Sequence, residues 1–222
     1  MTKPVVILGG GGDGLVAAQL ISHIFQADKS LRLAGFLDDN LEKGSRIDKA
    51  EVLGGLPDWS RLPLDIIFFP ALHKVKQMIQ RAKLIQSLAI PEKRWAKLCH
   101  PSACIADAVQ IGVGSMIGSH VTVQPNTSIG KFVSIRAGAN LGHDAIVEDF
   151  AYIGPNATVS GKAHIKEGAH VGPNASIIDA CKLGPYSVVG LGAAVTKNVE
   201  RQALCVGNPA RKIRILSDTE AF

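Results

Sequence analysis

His143 and Asp144 stand side by side in the stretch LGHDAIVEDFAYIGPNATVSGKAHIKEGAHVGPNAS, residues 141–176. Histidines and carboxylates are residue types that transfer protons in enzymes, and they are also ordinary solvated surface residues. The sequence around the pair has to decide between these two interpretations.

That surrounding sequence repeats every six residues. Val, Ile or Leu occupies every sixth position from Ile105 to Val195, and the fifth position of each hexad, from Val109 to Val199, is small or β-branched. A period of six matches neither a helix nor an isolated strand, but it predicts a solenoid of triangular coils with three hexads in each coil. The first positions would then point inward and stack on their equivalents in the next coil, about 4.8 Å away.

His143 lies outside this predicted core, because it is the third residue of its hexad. The same column of the solenoid holds Asp107, Pro125, Gly161, Asp179 and Lys197. Packing therefore does not explain why a histidine stands here.

The N-terminal third of the chain has a different pattern. The segment PVVILGGGGDGLVAAQLISHIF predicts a strand over 5–8, a glycine turn and an amphipathic helix, and Gly9, Gly11 and Gly14 match G-x-G-x-x-G. Glycines at the start of a helix let backbone amides approach an anion. This motif is compatible with a nicotinamide cofactor and equally with a nucleotide-linked substrate.

Two further strands are predicted in the same segment. The strand over 31–37 ends in Asp38 and Asp39, carboxylates placed where a ribose or a base would be recognised. The sequence DIIFFPAL predicts a third, buried strand, followed by a helix from about Lys74 to Leu88. We therefore expect a doubly wound α/β domain in residues 1–98 and a second domain, formed by the repeat, in residues 99–222.

Composition limits the classes of function. The 222 residues are 46% hydrophobic and 19% charged, with no run long enough to span a membrane and no signal-peptide pattern, which predicts a soluble chain without membrane insertion. The four cysteines are widely spaced, which indicates reduced thiols and a cytoplasmic location. The basic residues behind the net charge of +5 are scattered and not interleaved with aromatics, so small phosphorylated ligands fit better than nucleic acid.

Several motifs occur together: the GGGGDG turn, GFLDDN, CHPSACI, uninterrupted hexads that contain GHD, and the closing VVGLGAAVTKNV and VGNPARKI. In this combination the whole chain resembles bacterial nucleotide-sugar acetyltransferases of the left-handed β-helix, or hexapeptide-repeat, class. The most similar are the N-acetyltransferases of UDP- or GDP-linked 4-amino-4,6-dideoxy sugars, those of bacillosamine and perosamine synthesis, with sialic acid O-acetyltransferases as more distant relatives. The resemblance implies an N-terminal Rossmann-like α/β domain followed by an all-β left-handed parallel β-helix. It also implies a homotrimer that binds acetyl-CoA between neighbouring prisms.

The resemblance assigns roles to residues at matching positions. His143 would be the general base that takes the proton of a sugar amine, and Asp144 would orient its imidazole, in an acetyl transfer that serves surface glycan synthesis. Positions matching the nucleotide-sugar site are Gly11, Gly12, Asp13, Asp38, Asp39 and Ala71. Positions assigned to acetyl-CoA are Tyr152, Gly161 with its neighbouring amides as oxyanion donors, Pro173, Gly190, Leu191 and Gly192, with Lys197, Arg211 and Lys212 added on charge alone.

Two departures from the family pattern concern the acceptor. Relatives commonly carry a second histidine where this chain has Tyr152, and a glycine-asparagine turn where this chain has FFPALHK, with Pro70 and Ala71 in the turn. The exact sugar and its base, uracil or guanine, therefore stay open.

Other functions remain in competition. O-acetylation of a sugar hydroxyl would use the same base, and a non-catalytic nucleotide-sugar-binding scaffold would use the same fold. A nicotinamide oxidoreductase is the weakest alternative, because a solenoid offers no reason for hydride chemistry.

No metal is expected, since the spacing of His143, His164 and His170 does not supply a zinc site. We expect His120, His164 and His170 to be solvated surface residues.

Overall fold

The computed structural model describes residues 2–73 and 77–217. The N-terminal unit is a five-stranded sheet with helices packed on it. Its elements are β1 (Lys3–Leu8), α1 (Gly12–Asp28), β2 (Leu31–Leu37), β3 (Arg46–Ile47), β4 (Ala50–Gly54), β5 (Ile67–Pro70) and α2 (Met78–Ser87), with short 3-10 helices at Leu56–Arg61 and Glu92–Arg94.

The sheet has the strand order β3-β4-β2-β1-β5, and β1 pairs in parallel with both β2 and β5. The central strand β1 is fully buried from Val5 to Leu8 because elements cover both of its faces, which explains its continuous apolar sequence. The three predicted strands are confirmed. The second helix is shorter than predicted, Met78–Ser87, and its predicted start at Lys74 lies outside the described residues.

The glycine turn between β1 and α1 is held tightly on one side and open on the other. A Cβ at Gly14 would lie 2.2 Å from the carbonyl oxygen of Gly9, so only glycine lets the helix approach the turn. A Cβ at Gly11 or Gly12 would meet no atom within 4 Å. The middle of the turn therefore faces open space.

The hexad repeat forms a parallel β-helix of two-residue strands, and each predicted inward position is the second residue of its strand. The strands are β6 (Leu98–Cys99), β7 (Cys104–Ile105), β8 (Gln110–Ile111), β9 (Met116–Ile117), β10 (Thr122–Val123), β11 (Ser128–Ile129), β12 (Ser134–Ile135), β13 (Asn140–Leu141), β14 (Ile146–Val147), β15 (Tyr152–Ile153), β16 (Thr158–Val159), β17 (His164–Ile165), β18 (His170–Val171), β19 (Ser176–Ile177), β20 (Lys182–Leu183), β21 (Val188–Val189) and β22 (Ala194–Val195). Each pairs with the strand 18 residues further on, as in Val123 opposite Leu141. Strand β6 pairs with β9, so the helix begins one hexad earlier than the repeat count predicted.

The corners of the coils share one backbone conformation. The fourth residue of every hexad from Ala108 to Gly192 has a positive φ, which turns the chain from one face to the next. Inside the corners, side chains such as Ala139, Ala157 and Ala175 have no exposed surface. Small residues recur there because close packing between coils leaves no room for larger ones.

The three faces of the prism differ in what they carry. The covered face consists of β6, β9, β12, β15, β18 and β21, and the N-terminal unit packs on it. The small-residue face consists of β7, β10, β13, β16, β19 and β22, and the third face of β8, β11, β14, β17 and β20. The chain ends with β23 (Ala203–Val206), which extends the covered face in parallel, and β24 (Arg211–Ile215), which pairs antiparallel with β23.

Candidate active site

His143 and Asp144 occupy the corner between the small-residue face and the third face, which we call the His143 corner. Asp144 is the positive-φ residue of its hexad, with φ of 58°. This conformation, which aspartate tolerates better than most residues, brings its carboxylate beside the preceding side chain. His143 Nδ1 and Asp144 Oδ2 are 2.6 Å apart, and the two side chains are 53% and 42% exposed.

The coil below supports the pair. Asn126 Nδ2 donates to Asp144 Oδ1 at 3.1 Å, and the backbone N–H of His143 donates to Gln124 Oε1 at 3.1 Å. The hydrogen bonds from His143 and then from Asn126 lower the pKa of Asp144 below its usual value. An ionised carboxylate only accepts hydrogen bonds, so Nδ1 carries the proton and Nε2 is the basic nitrogen.

The coil above leaves that nitrogen open because it has a glycine there. A Cβ at Gly161 would lie 2.8 Å from His143 Nε2 and 3.1 Å from Asp179 Oδ1. A side chain at this position would touch the imidazole at its free nitrogen. The next amide, of Lys162, donates to the His143 carbonyl at 2.8 Å and is not available as an oxyanion donor.

A second group of predicted residues lines a cleft in the N-terminal unit, which we call the glycine-turn cleft. It has a volume of about 180 Å³, and its walls include Gly11, Asp38, Asp39 and Ala71. The fold therefore brings these four predicted residues together. Gly12 opens α1 beside them.

The two carboxylates of this cleft are anchored by the backbone. The N–H of Gly10 donates to Asp38 Oδ2 at 2.7 Å, and the N–H of Leu56 donates to Asp39 Oδ1 at 2.7 Å. Each aspartate thus fixes the position of a neighbouring loop. Asp13 points elsewhere and forms an ion pair with Arg136 of the β-helix, with 3.1 Å between Asp13 Oδ1 and Arg136 Nη1.

Tyr152 lies on the covered face inside a stack of three rings. The His73 and His170 rings are nearly parallel to it, with centroids 4.3 and 4.5 Å from its own and 5.8 Å from each other, so the three centroids form a triangle. Burial lowers the pKa of His73 to about 3 and that of His170 to about 4, so both imidazoles are neutral at physiological pH. The prediction that His170 is solvated was wrong, because the N-terminal unit covers the face on which it lies and leaves it 6% exposed.

The other two histidines that were predicted to be solvated, His120 and His164, differ in their exposure. His120 is exposed, as predicted. His164 is partly buried, and its Nε2 pairs with Glu148 Oε1 at 2.5 Å. In the described ranges 2–73 and 77–217, no group of three histidine, cysteine or acidic side chains is arranged to hold a metal ion.

Four of the residues assigned to acetyl-CoA, Pro173, Gly190, Leu191 and Gly192, lie along a different corner, between the covered face and the small-residue face, which we call the Leu191 corner. Gly161 and Lys197 lie in the column of His143 instead. Pro173 and Leu191 occupy equivalent positions in successive coils, and Leu191 is 81% exposed. A Cβ at Gly190 would come within 2.8 Å of Val206 Cγ1, and Gly192 has φ of 63°. Other corners reach the same positive φ with residues such as Asn174 and Tyr186, so the turn does not require glycine at 192, and a Cβ there would meet no atom within 4 Å.

Basic residues meet at the C-terminal end of the β-helix. Lys197, Arg211 and Lys212 line one groove of about 320 Å³, although Lys212 already pairs with Glu200 at 2.9 Å. The three basic residues that were selected on charge alone therefore lie close together in the fold.

Within one chain, His143 lies beside Gly161 but is remote from Tyr152, the glycine-turn cleft and the Leu191 corner. The covered face carries Tyr152 and the glycine-turn cleft, and the His143 corner is the corner opposite that face. Side lengths of about 20 Å for six extended residues place the corner on the order of 15 Å from the covered face. One protomer therefore does not assemble the whole predicted site.

Sequence reasoning missed several residues around these sites. Gln124 and Asn126 support the pair from the coil below, and Arg136, His73 and Arg81 lie beside the glycine turn. The period supplied a signal for Asn126, because a residue 18 positions before Asp144 must lie directly beneath it. No local pattern marks Arg136, His73 and Arg81, which the packing of the two units brings together.

No helix in residues 2–73 and 77–217 is both long and apolar enough to cross a bilayer.

No family model matches this sequence. Among curated proteins, the chain is 33% identical over 117 residues to UDP-N-acetylbacillosamine N-acetyltransferase of Bacillus subtilis (strain 168), a match that covers 52% of this chain and 51% of that protein. The match thus spans about half the length of this curated relative.

Solved structures match over nearly the whole chain. The acetyltransferase domain of PglB from Neisseria gonorrhoeae, in complex with acetyl coenzyme A, has a TM-score of 0.83 at 24% identity, covering 96% of this chain and 100% of that one. A histidine-to-asparagine variant of perosamine N-acetyltransferase from Caulobacter crescentus, in complex with CoA and GDP-perosamine, has a TM-score of 0.83 at 24% identity, covering 95% and 97%. The resemblance to bacterial sugar N-acetyltransferases, the bacillosamine and perosamine enzymes among them, which the sequence motifs predicted, is therefore confirmed.

Proposed function

We propose that this protein is an acetyl-CoA-dependent N-acetyltransferase that acts on the amino group of a UDP- or GDP-linked 4-amino-4,6-dideoxy sugar. The observation that carries the proposal is the His143–Asp144 pair at 2.6 Å, with Nε2 left open by Gly161. An imidazole held in this tautomer is suited to take a proton from an amine. The similarity to sugar N-acetyltransferases supplies the reaction class.

In the proposed reaction, acetyl-CoA supplies an acetyl group activated as a thioester. The sugar amine forms the new carbon–nitrogen bond while His143 Nε2 takes its proton, and the carbon–sulfur bond breaks. His143 then returns the proton to the departing thiolate. Asp144 stabilises the imidazolium in between, and such a base contributes about 10² to 10⁴ in rate.

Three copies of the chain would complete the site. In a homotrimer whose small-residue faces point toward the three-fold axis, the His143 corner of one copy meets the Leu191 corner of the next at the same height. The exposed side chains Ile178 and Leu191, 47% and 81% exposed, border that face and would be covered. Acetyl-CoA would lie between the corners, with its phosphates near Lys197 and Arg211.

The N-terminal unit would deliver the nucleotide sugar from the glycine-turn cleft of the neighbouring copy. We assign it to residues 1–98 as a Rossmann-like domain, and residues 99–222 to a left-handed β-helix domain, as the family resemblance implies. The cytoplasm, where acetyl-CoA is available, is the compartment that such a reaction needs.

The experiment that tests the proposal replaces His143 with alanine. We expect His143→Ala to lose about 10² to 10⁴ in turnover, measured as release of free CoA thiol, because only the base is removed. Its trimer mass and CoA affinity should stay at wild-type values. His120→Ala, which changes an exposed histidine of the β-helix, is the matched control and should keep full activity.

Near-normal turnover of His143→Ala would exclude the general-base role. Product stability in mild alkali separates the competing reactions, because amides survive and the esters expected from O-acetylation are cleaved. Nucleotide binding without any thiol release by the wild-type protein would instead favour a non-catalytic scaffold.

A further inference from the structure

Two buried polar atoms near the glycine turn have no hydrogen-bond partner in the described part of the chain. They are His73 Nε2 and Arg81 Nε. Arg81 forms one hydrogen bond elsewhere, from Nη2 to Gln77 Oε1 at 3.2 Å, which leaves its Nε–H unused. Such orphaned groups are rare in folded proteins and call for a partner from outside the chain.

Both residues face the place where a ligand would lie. They line the glycine-turn cleft of about 180 Å³ and also a smaller adjoining cavity of about 40 Å³, which Asp13 and Arg136 line from the other side. His73 and Arg81 therefore stand at the boundary between the glycine turn and the Asp13–Arg136 ion pair.

The charged side chains that line the glycine-turn cleft indicate which kind of group Arg81 binds. Of the described residues, Arg81 is the only cationic one that lines the glycine-turn cleft, whereas Asp38 and Asp39 place two carboxylates there. Arg136 in the adjoining cavity is already paired with Asp13. Among the described residues, Arg81 is therefore the cation that favours a doubly charged anion in this acidic cleft, and a guanidinium matches phosphate oxygens in both geometry and charge.

His73 adds a neutral contact. Its ring is held by stacking on Tyr152 with centroids 4.3 Å apart, so the direction of its nitrogens is fixed. Because burial lowers the pKa of His73 to about 3, the ring does not titrate near neutral pH. A neutral imidazole can donate one hydrogen bond to a phosphate oxygen.

We propose that Arg81, through Nε–H, and His73, through Nε2–H, bind the diphosphate of the nucleotide-linked substrate. This inference rests on the proposed function, since it names residues that hold the substrate of that reaction. It places the nucleoside toward Asp38 and Asp39 and the sugar toward the Asp13–Arg136 pair.

The test measures the affinity of the intact protein for UDP and GDP by calorimetry. We expect Arg81→Gln to weaken binding of the preferred nucleotide by about tenfold or more, because a charge-assisted hydrogen bond is lost. Affinity for CoA should not change. Arg61→Gln is the matched control, since Arg61 is exposed and pairs only with Asp58, and it should bind as the wild type does.

Competition on the wild-type protein gives a second readout that does not depend on the folding of a variant. Inorganic pyrophosphate should displace the bound nucleotide, and a failure to displace it would overturn the proposal. An affinity of Arg81→Gln within twofold of the wild type would overturn it too, while the proposed function would stand. Wild-type protein that binds neither UDP nor GDP would instead contradict the proposed function, and this inference with it.

Discussion

The chemistry proposed for His143 depends on a contact between sequence neighbours. A positive φ at Asp144 turns the corner and at the same time sets its carboxylate 2.6 Å from His143 Nδ1. Asn126 holds the other carboxylate oxygen, so the aspartate has one orientation. The pair is therefore formed by local geometry, and the stacked coils above and below decide which nitrogen stays free.

At this scale we predict the effect of Gly161→Ala. Its φ is not in the left-handed region, so alanine fits the backbone, but the new Cβ would lie 2.8 Å from His143 Nε2. The half-exposed ring can rotate away, so the free energy of unfolding should change little while turnover falls, by about tenfold to a hundredfold, since the base is misplaced.

Steady-state turnover and denaturant unfolding of the same preparation check this prediction. Asp107→Ala, an exposed change in the same column of the β-helix, is the control. Unchanged turnover in Gly161→Ala would mean that the imidazole does not need the space between it and Gly161.

At the scale of elements, a stack of rings joins the two units. Tyr152 and His170 belong to adjacent strands of the covered face, β15 and β18, and His73 follows β5 of the N-terminal unit. The Asp13–Arg136 ion pair crosses the same boundary from α1. The glycine-turn cleft is thus fixed to the β-helix by groups that the active site does not use as catalysts.

The buried histidines make this junction sensitive to acid. The pKa of His170 falls from 6.5 to about 4 on folding, so between these values the unfolded chain binds a proton that the folded chain does not. Stability is therefore fully present above about pH 6.5 and declines as the pH falls toward about 4. His170→Phe keeps a stacked ring but cannot titrate.

The free energy of unfolding should fall for both proteins when the pH is lowered from about 7 to about 4. We predict that the fall is smaller for His170→Phe than for the wild type, by roughly 3 kcal/mol. Denaturant unfolding at one fixed protein concentration measures the difference. His120→Phe is the control, because Phe132 and Phe150 already occupy equivalent positive-φ corner positions. If His170→Phe and the wild type lose stability equally, His170 does not titrate as its burial implies.

At the scale of the whole molecule, the predicted groups are divided between two corners and one face. His143 lies at one corner, Pro173 and Leu191 lie along another, and the N-terminal unit covers the face opposite His143. A rigid prism cannot bend to bring these groups together. In the proposed homotrimer, neighbouring copies would bring these groups together without deforming the β-helix.

This arrangement predicts the effect of an arginine on the small-residue face. Ser176→Arg places a long charged side chain where three prisms would approach, so we expect a folded monomer by light scattering and the loss of nearly all turnover. Ser128→Arg makes the same change at the equivalent strand position of the third face and should leave both trimer mass and turnover intact. A fully active trimer of Ser176→Arg would place the interface elsewhere.

The sequence by itself determined the β-helix and the position of His143 on its surface. A strict period of six leaves one way to bury the first position of every hexad, from Ile105 to Val195, so the core, the corners and the columns all follow from local repetition. The glycine turn and the three N-terminal strands follow in the same way from short-range patterns. The pairing of His143 with Asp144 was implied by the family resemblance, and the structure supplies its 2.6 Å contact.

Only the tertiary structure decided which face the N-terminal unit covers. That choice buried His170, stacked His73 on Tyr152, paired Asp13 with Arg136 and left the Nε–H of Arg81 without a partner. These contacts join residues far apart in sequence, and nothing periodic relates them. Their formation depends on how two separately patterned surfaces fit, which no single stretch of the chain encodes.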